Sequence, residues 1–163
     1  MTFGQLPLGL SFWHPAALLA TWGGSGLLPR APGTWGSLFT LPVAWLIADR
    51  WGGEALFIAS VIVFFAGLWA SAQYLKYSKS KDPSAIVIDE TAGQLLTLAL
   101  IPVDLWWYAG GFLLFRIADI FKPWPASWVE KSLDGALGVM ADDIFAAVYA
   151  IAVLVGVHLL IAS

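Results

Sequence analysis

The chain has 163 residues, of which 60% are hydrophobic and 12% are charged, and it contains ten tryptophans. Soluble domains carry about 25% charged residues, so this composition is that of a membrane protein. The length fits one domain spanning residues 1–163. A net charge of −3 offers no basic surface for nucleic acid. Because cysteine is absent, disulfides, zinc–thiolate sites and cysteine nucleophiles are excluded.

The first residues, MTFGQLPLGLSFWHP, contain no basic region and no evident cleavage site. We therefore expect mature chain here rather than a signal peptide. Residues 15–23 predict a short helix with Pro15 in its first turn. At a length of about 14 Å this helix is too short to cross a bilayer, so an interfacial position is expected.

Residues 24–37, GSGLLPRAPGTWGS, are rich in glycine and proline and include Arg30. One interpretation is a connecting loop. The other is a nest, in which glycines with positive φ angles point successive backbone N–H groups at one anion and the Arg30 guanidinium lies beside them. The second interpretation predicts a site for an anion.

Two apolar segments, residues 37–48 and 55–75, flank the sequence DRWGGE. The second segment is long enough to cross a bilayer of about 30 Å, and the first is marginal. Together they predict a transmembrane hairpin. The alternative is a pair of core helices in a soluble bundle, which is disfavoured because neither segment has a polar face.

Residues 91–101 and 105–115 are also apolar, and a Pro-Val-Asp sequence ending at Asp104 separates them. Each is shorter than the roughly 20 residues of an ordinary span. They form either a helical hairpin that enters the bilayer part-way or one kinked span with Asp104 inside it. A turn sequence at this point, and the cost of a lone aspartate within the bilayer, favour the hairpin. Residues 144–162 predict a final span.

If both hairpins form, residues 24–37, residues 77–91 and the polar stretch that follows residue 115 lie on one side of the membrane. We call them the three polar islands. The basic residues of that side are Arg30, Lys76, Lys79, Lys81, Arg116, Lys122 and Lys131. Only Arg50 lies opposite, so the positive-inside rule places the islands in the cytoplasm. The sequence thus predicts an all-α, polytopic membrane helical bundle with short or re-entrant helices and a cytoplasmic polar site.

The islands contain most of the acidic residues of the chain. Carboxylates without a neighbouring histidine or cysteine suit Mg²⁺ above other ions. Asp89 and Glu90 precede a predicted helix, where a negative charge that complements the helix dipole contributes about 0.3–1 kcal/mol to stability. This structural role accounts for one carboxylate at this position better than for two. Adjacent acids point about 100° apart on a helix, so one of each pair is expected to bind metal while the other caps, pairs or holds water. The six acids are Asp89, Glu90, Asp119, Asp134, Asp142 and Asp143.

Basic residues accompany the acids in the third island. Arg116 and Asp119 are three residues apart and could form a simple ion pair along a helix. Lys122 precedes Pro123, which ends that helix and leaves the lysine able to reach a phosphate. Metal, basic groups and a glycine nest are typical of phosphoryl transfer, which favours an enzyme acting on a phosphorylated lipid. The alternative is a carrier or channel, whose acids usually lie within spans rather than at their ends.

Four strings occur in order along the chain: GSGLLPRAPGTWGSL, IVIDETAGQLLTL, FRIADIFKPWPASWVEK and DGALGVMADDIFAAVYA. Together they closely resemble the A-type phosphatidylglycerophosphatase family, whose motifs run GTWGS, IDE, FRxxDxxKPxP and GxGxMxDD. The resemblance covers about residues 20–150. Thr91 and Ala92 stand where larger apolar residues are common, and GALG replaces a double-glycine turn, but neither departure changes a charged position.

The resemblance implies a Mg²⁺-dependent hydrolase of the bacterial inner membrane with its active site facing the cytoplasm. Its substrate would be phosphatidylglycerophosphate, and its products phosphatidylglycerol and phosphate. Within enzymes, a phosphatase of phosphatidic or lysophosphatidic acid is the alternative, because headgroup selection depends on the shape of the pocket.

Motif by motif, the resemblance also assigns site residues. The expected metal ligands or supporting acids are Asp89, Glu90, Asp142 and Asp143. The expected phosphate-binding groups are Arg30, Arg116, Lys122 and the turn formed by Gly33 and Thr34. Asp119 is expected either to orient Arg116 or to act as a base. We count Asp89, Asp119, Asp142 and Asp143 as the catalytic acids.

Overall fold

The computed structural model describes residues 4–124 and 126–162, with the backbone alone at 129–131 and 162. The described residues form helices and connecting loops and contain no strand, as predicted. The helices are α1 (Pro15–Ala20), α2 (Pro32–Leu75), α3 (Ile88–Leu98), α4 (Leu105–Phe121), α5 (Ala126–Ser132) and α6 (Gly135–Ala162), with a 3₁₀ turn at Ser25–Leu27.

The long helix α2 reverses direction at Gly52, whose backbone is non-helical with a φ of 81° and a ψ of 175°. Thr40 donates a hydrogen bond to Thr91 at 3.3 Å, and Ser60 donates one to the carbonyl of Ala92 at 2.9 Å. In a straight helix Thr40 and Ser60 would be about 30 Å apart, so they meet neighbouring residues of α3 only because the chain turns back. A helical hairpin is therefore present at the predicted place, with arms at 32–51 and 53–75.

Helix α3 is the central helix, and most of its residues are buried. Glycines let the two arms of α2 approach it closely. A β-carbon at Gly36 would collide with Val87, and one at Gly53 would collide with the carbonyl of Ala99. Small residues at such crossings allow helix backbones to pack in van der Waals contact, as in membrane helix interfaces.

Helices α3 and α4 form a second hairpin. Asp104 caps α4 by accepting a hydrogen bond from the backbone N–H of Trp106 at 2.9 Å. Gly93 packs against Phe115, and Gly111 packs against Leu98. These contacts pair the start of α3 with the later part of α4, so the two helices are antiparallel and do not form one kinked helix. Helix α4 continues to Phe121, six residues beyond the predicted boundary.

Helix α6 begins at Gly135, well before the predicted start at residue 144. Gly135 has a φ of 71°, which a β-carbon would disfavour. The residues that follow it, ALGVMA, include good helix formers. Asp142 and Asp143 therefore lie within the helix, on its second and third turns, rather than in a loop before it.

Two helices in the described part of the chain are long and apolar enough to cross a membrane, namely Pro32–Leu75 and Gly135–Ile161, with mean hydropathies of 2.2 and 2.6. Only 28% and 22% of the residues in their most apolar windows are buried. A core helix of a soluble protein would be mostly buried, whereas these helices expose apolar side chains that lipid would cover.

Candidate active site

The three polar islands meet around one cavity of about 410 Å³ at the end of the bundle where α2 and α3 begin and α4 ends. Residues 31–33 come from the first island, residues 81–90 from the second and residues 116–143 from the third. This convergence was predicted from the two hairpins. The charged residues that line the cavity are Lys81, Asp82, Asp89, Glu90, Arg116, Asp119, Lys122, Asp134, Asp142 and Asp143.

Three of these carboxylates form a cluster suited to a metal ion. Asp89, Glu90 and Asp143 each offer one oxygen, and those oxygens all lie within 4.8 Å of one another. Each residue also has a buried carboxylate oxygen without a hydrogen-bond partner in the described structure. Buried polar groups are nearly always satisfied, and hard oxygen donors are what Mg²⁺ prefers. The residues present therefore fit a divalent cation.

The electrostatics of the cluster agree with that fit. Burial raises the pKa of Asp89 well above its usual value, and the charge of Glu90 raises it further. Burial also raises the pKa of Glu90, although its hydrogen bond with Asp89 and the nearby Arg116 act in the opposite direction. Ionised carboxylates this close together repel each other, and a bound cation is one way to keep them charged.

Arg116 connects the acid cluster to the rest of the site. Its Nη1 atom lies 2.6 Å from an oxygen of Asp119 and 3.8 Å from Oε1 of Glu90, and it donates to the hydroxyl of Ser37 at 3.5 Å. The side chains of Arg116, Glu90 and Asp119 are each about one-eighth exposed. The ion pair with Asp119, three residues away, therefore belongs to a partly desolvated network and is more than a surface contact.

Gly33 packs against this network and has no side chain to interfere with it. A β-carbon at Gly33 would overlap Oε1 of Glu90 and would lie 3.2 Å from Nη1 of Arg116. Gly33 belongs to the first turn of α2, where the helix dipole favours an anion; the N–H groups of Thr34 and Trp35 already donate to the carbonyl of Ala31, so Gly33 offers its own N–H. Gly33 therefore leaves room for the carboxylate of Glu90, and it places the N-terminus of α2 at the cavity.

Lys122 and Asp142 form a second ion pair in the cavity, with Nζ 2.6 Å from Oδ2 of Asp142. Lys122 ends α4 in a left-handed conformation with a φ of 42°, which turns its side chain towards α6. The other carboxylate oxygen of Asp142 accepts a hydrogen bond from the backbone N–H of Asp143 at 3.1 Å. Adjacent acids thus have separate partners: Asp143 joins the acid cluster, and Asp142 holds the lysine.

Comparisons with known proteins agree with these motifs and this geometry. The family model described as phosphatidylglycerophosphatase A matches residues 18–158. The chain belongs to the phosphatidylglycerophosphatase A family. No solved structure matches it.

Three relatives show how much of the chain is shared with the family. Phosphatidylglycerophosphatase A of Escherichia coli (strain K12) is 37% identical over 143 residues, covering 87% of this chain and 81% of the relative. The enzyme of the same name from Haemophilus influenzae is 35% identical over 150 residues, covering 91% and 92%. A Bacteroides thetaiotaomicron protein with the provisional name phosphatidylinositol-3-phosphatase is 41% identical over 146 residues, covering 81% and 86%.

Two predicted phosphate-binding residues of this phosphatidylglycerophosphatase A family member lie away from the acid cluster. Arg30 is exposed and lines a neighbouring cavity, because it and Ala31 adopt left-handed angles, with φ of 63° and 47°. Thr34 is half-buried and does not line the main cavity; its backbone N–H donates to the carbonyl of Ala31 at 3.0 Å. The predicted turn at Gly33 and Thr34 is in fact the first turn of α2.

Sequence reasoning missed two further contributors to the site of this family member. Ser37 contacts Arg116, and its position four residues after Gly33 on α2 is the signal that could have identified it. Lys81 lies 3.0 Å from Asp134 in an exposed ion pair that joins the second and third islands across the cavity. Of the charged third island, the side chains of Glu130 and Lys131 lie outside the described residues.

Proposed function

We propose that this protein hydrolyses the terminal phosphomonoester of phosphatidylglycerophosphate, giving phosphatidylglycerol and inorganic phosphate. The observation that carries the proposal is the cavity in which three clustered carboxylates face Arg116 and Lys122, in a chain that belongs to the phosphatidylglycerophosphatase A family. Anionic metal ligands beside cationic phosphate ligands are the arrangement that phosphoryl transfer needs.

The basic residues would bind the oxygens of the terminal phosphate. Nη1 of Arg116 is held by Asp119, and Arg116 lines the cavity, where its guanidinium would meet an anion. Lys122 lies at the C-terminal end of the same helix, α4, and is oriented by Asp142. The first turn of α2 adds the backbone N–H of Gly33. These donors, two from the C-terminal half of α4 and one from the N-terminus of α2, would orient the phosphate.

We propose Mg²⁺ as the cofactor, with Asp89, Glu90 and Asp143 as the residues that would hold it. When bound, the ion would neutralise charge on the phosphate oxygens and favour attack by water. Asp142 supports the site through Lys122 and is not one of the three clustered acids. Asp119 would act as a positioning residue, because its short ion pair fixes the guanidinium of Arg116.

The net reaction breaks one bond and forms one at phosphorus. The bond from phosphorus to the terminal glycerol oxygen breaks, and an oxygen from water replaces it on phosphorus. One proton from that water finally resides on the released glycerol hydroxyl. The partly buried site limits the amount of competing bulk water, which strengthens the electrostatic interactions of Arg116 and Lys122 with the phosphate.

We propose that the protein is a multi-pass inner-membrane enzyme with its site at the cytoplasmic surface. Gly33 at the cavity and the exposed Trp51 at the other end of the first arm are separated by about 27 Å along the helix, close to the thickness of the hydrocarbon core. Lys79, Lys81 and Lys122 lie at the cavity end and Arg50 at the Trp51 end, as the positive-inside rule expects of a cytoplasmic site. The α3–α4 hairpin would then enter the bilayer from that side.

A second candidate substrate is a different phosphorylated lipid. The Bacteroides relative is named for phosphatidylinositol 3-phosphate rather than for phosphatidylglycerophosphate, so substrates with different polyol headgroups are named within this group of relatives. A carrier or channel is the alternative from another class. It would need charged residues along a path through the bundle, whereas the acids of the cavity cluster at its end.

The deciding experiment measures phosphate release by purified protein in detergent micelles. Phosphatidylglycerophosphate, phosphatidylinositol 3-phosphate and phosphatidic acid are compared, each with Mg²⁺ and with EDTA, and a double variant, Asp89→Asn with Asp143→Asn, serves as the inactive control. We expect EDTA-sensitive turnover with a clear preference for phosphatidylglycerophosphate. No turnover of any lipid by folded protein would contradict the proposal and favour a carrier, and a preference for another lipid would reassign the substrate.

A further inference from the structure

A second cavity of about 730 Å³ adjoins the active site. It lies between the segment before α1, the loop that leads into α2 and the loop between α2 and α3. Arg30 and Lys79 are its cationic residues, and Asp82 is its acidic residue. Hydroxyl and amide groups complete the polar lining, namely those of Gln5, Tyr77, Ser78, Ser80 and Ser84.

The two cavities share a boundary. Pro32, Asp82 and Ser84 line both of them. The left-handed residues Arg30 and Ala31 turn the chain at this boundary, so that Arg30 lines the second cavity while Gly33 lines the first. Left-handed angles are strained for residues with a β-carbon. The second cavity is therefore the immediate neighbour of the first, beyond Pro32, and has its own arginine.

The proposed substrate has two phosphates of different kinds. Its terminal phosphomonoester is the group that is removed, and a three-carbon glycerol unit separates it from the phosphodiester that leads to the acyl chains. Phosphatidylinositol 3-phosphate, for which the Bacteroides relative is named, likewise carries a phosphomonoester on a polyol that a phosphodiester joins to diacylglycerol. A binding site for either lipid needs donors for a second, singly charged phosphate near the first.

We propose that the second cavity binds the bridging phosphodiester of the substrate through Arg30 and Lys79, and that this contact selects lipids whose phosphomonoester is carried on a polyol headgroup. The inference rests on the proposed function. Arg30 is then a specificity residue that does not contact the scissile phosphate, which differs from the role its motif alone suggests. Two cations, Arg30 and Lys79, outnumber the one exposed carboxylate, that of Asp82 at the boundary, so the second cavity carries a net positive charge. A positive charge favours an anion.

The two reaction products offer a direct test, because each of them retains one of the two phosphate groups of the substrate. Phosphatidylglycerol retains only the phosphodiester, and inorganic phosphate corresponds only to the terminal group. The test measures steady-state kinetics on phosphatidylglycerophosphate in detergent micelles for wild type, Arg30→Gln and Lys79→Gln. It also measures the inhibition constants of short-chain phosphatidylglycerol and of inorganic phosphate.

We expect Arg30→Gln to raise KM and the inhibition constant of phosphatidylglycerol by about tenfold, equivalent to about 1.4 kcal/mol. We expect kcat and the inhibition constant of inorganic phosphate to stay unchanged, because the lost contact is equally strong in ground and transition states. Lys79→Gln should act in the same direction. Arg30→Lys should recover part of the effect, since charge is kept while the planar fork is lost.

Lys76→Gln is the matched control, because Lys76 is an exposed lysine close in sequence that hydrogen-bonds Gln73 and does not line the second cavity. An equal effect in this control would show general attraction of the anionic lipid and overturn the inference. Weaker inhibition by inorganic phosphate in Arg30→Gln would move Arg30 to the terminal phosphate. Unchanged kinetics in both Arg30→Gln and Lys79→Gln would also overturn it. Failure of wild type to hydrolyse phosphatidylglycerophosphate would instead overturn the proposed function.

Discussion

The carboxylate of Glu90 packs directly on the backbone of Gly33, leaving no room for a β-carbon between them. These residues belong to different islands and are far apart in sequence. Their contact brings the N-terminus of α2 against the acid cluster and beside Arg116. The glycine of the GTWGS motif is thus required by a tertiary contact at the active site.

Gly33→Ala should reduce kcat/KM by about 100-fold, because the added methyl group displaces Glu90 and Arg116, and displacements of about 1 Å in a catalytic site cost this much. Steady-state phosphate release measures the effect. Gly156→Ala in α6 is the matched control, since its β-carbon would meet no atom within 4 Å and should leave the rate unchanged. A fully active Gly33→Ala enzyme would show that the tight fit with Glu90 is dispensable.

Asp89→Asn and Asp143→Asn should each raise the Mg²⁺ concentration for half-maximal activity by at least about tenfold, because each removes an anionic oxygen from the acid cluster. Titration of activity with Mg²⁺ measures this change. Asp134→Asn is the control, because Asp134 is exposed and pairs with Lys81 at the cavity mouth. Wild-type Mg²⁺ affinity in both variants would contradict the proposed metal site.

Asp142 and Lys122 should behave as a coupled pair rather than as independent residues. Their atoms lie 2.6 Å apart with little exposure of the aspartate, so a double-mutant cycle of Asp142→Asn and Lys122→Met on kcat/KM should give a coupling free energy of about 0.5–3 kcal/mol. The half-maximal Mg²⁺ concentration in Asp142→Asn should change less than in Asp143→Asn. Additive effects of the two substitutions would show that the ion pair has no catalytic role.

Local sequence was sufficient to predict the two chain reversals. The glycines at 52 and 53 and the Pro-x-Asp sequence ending at Asp104 are turn signals, and each contains or adjoins the point where the structure reverses. Once two hairpins are assumed, the three islands must meet at one end of the bundle. The convergence of the site therefore followed from turn chemistry and topology.

The partners of individual residues could not be predicted in the same way. Asp142 and Asp143 are adjacent and chemically identical, and only the packing of α6 against α3 and the end of α4 gives them different partners. Arg30 was placed with the acids because residues 24–37 suggested an anion-binding nest and because the family resemblance assigned it to phosphate, but left-handed angles at Arg30 and Ala31 turn it into another cavity. Such angles at residues with a β-carbon have no signature in a single sequence.

The pH dependence of stability should reveal the buried acids in the absence of metal. Because burial raises the pKa of Asp89 and of Glu90, the folded state binds more protons than the unfolded state between the ordinary and the raised values. Stability of the metal-free protein should therefore fall as the pH rises through that interval. Thermal unfolding in EDTA at about pH 5 and about pH 8 measures this difference.

Mg²⁺ should reverse that trend, because it binds ionised carboxylates and stabilises the folded state by mass action. Its effect on the unfolding temperature should be larger at about pH 8 than at about pH 5. Asp89→Asn removes one of the titrating groups and should weaken both the pH dependence in EDTA and the response to Mg²⁺. Stability that rises with pH in EDTA, or an equal Mg²⁺ effect at both pH values, would show that the acid cluster is not the group that titrates and binds the ion.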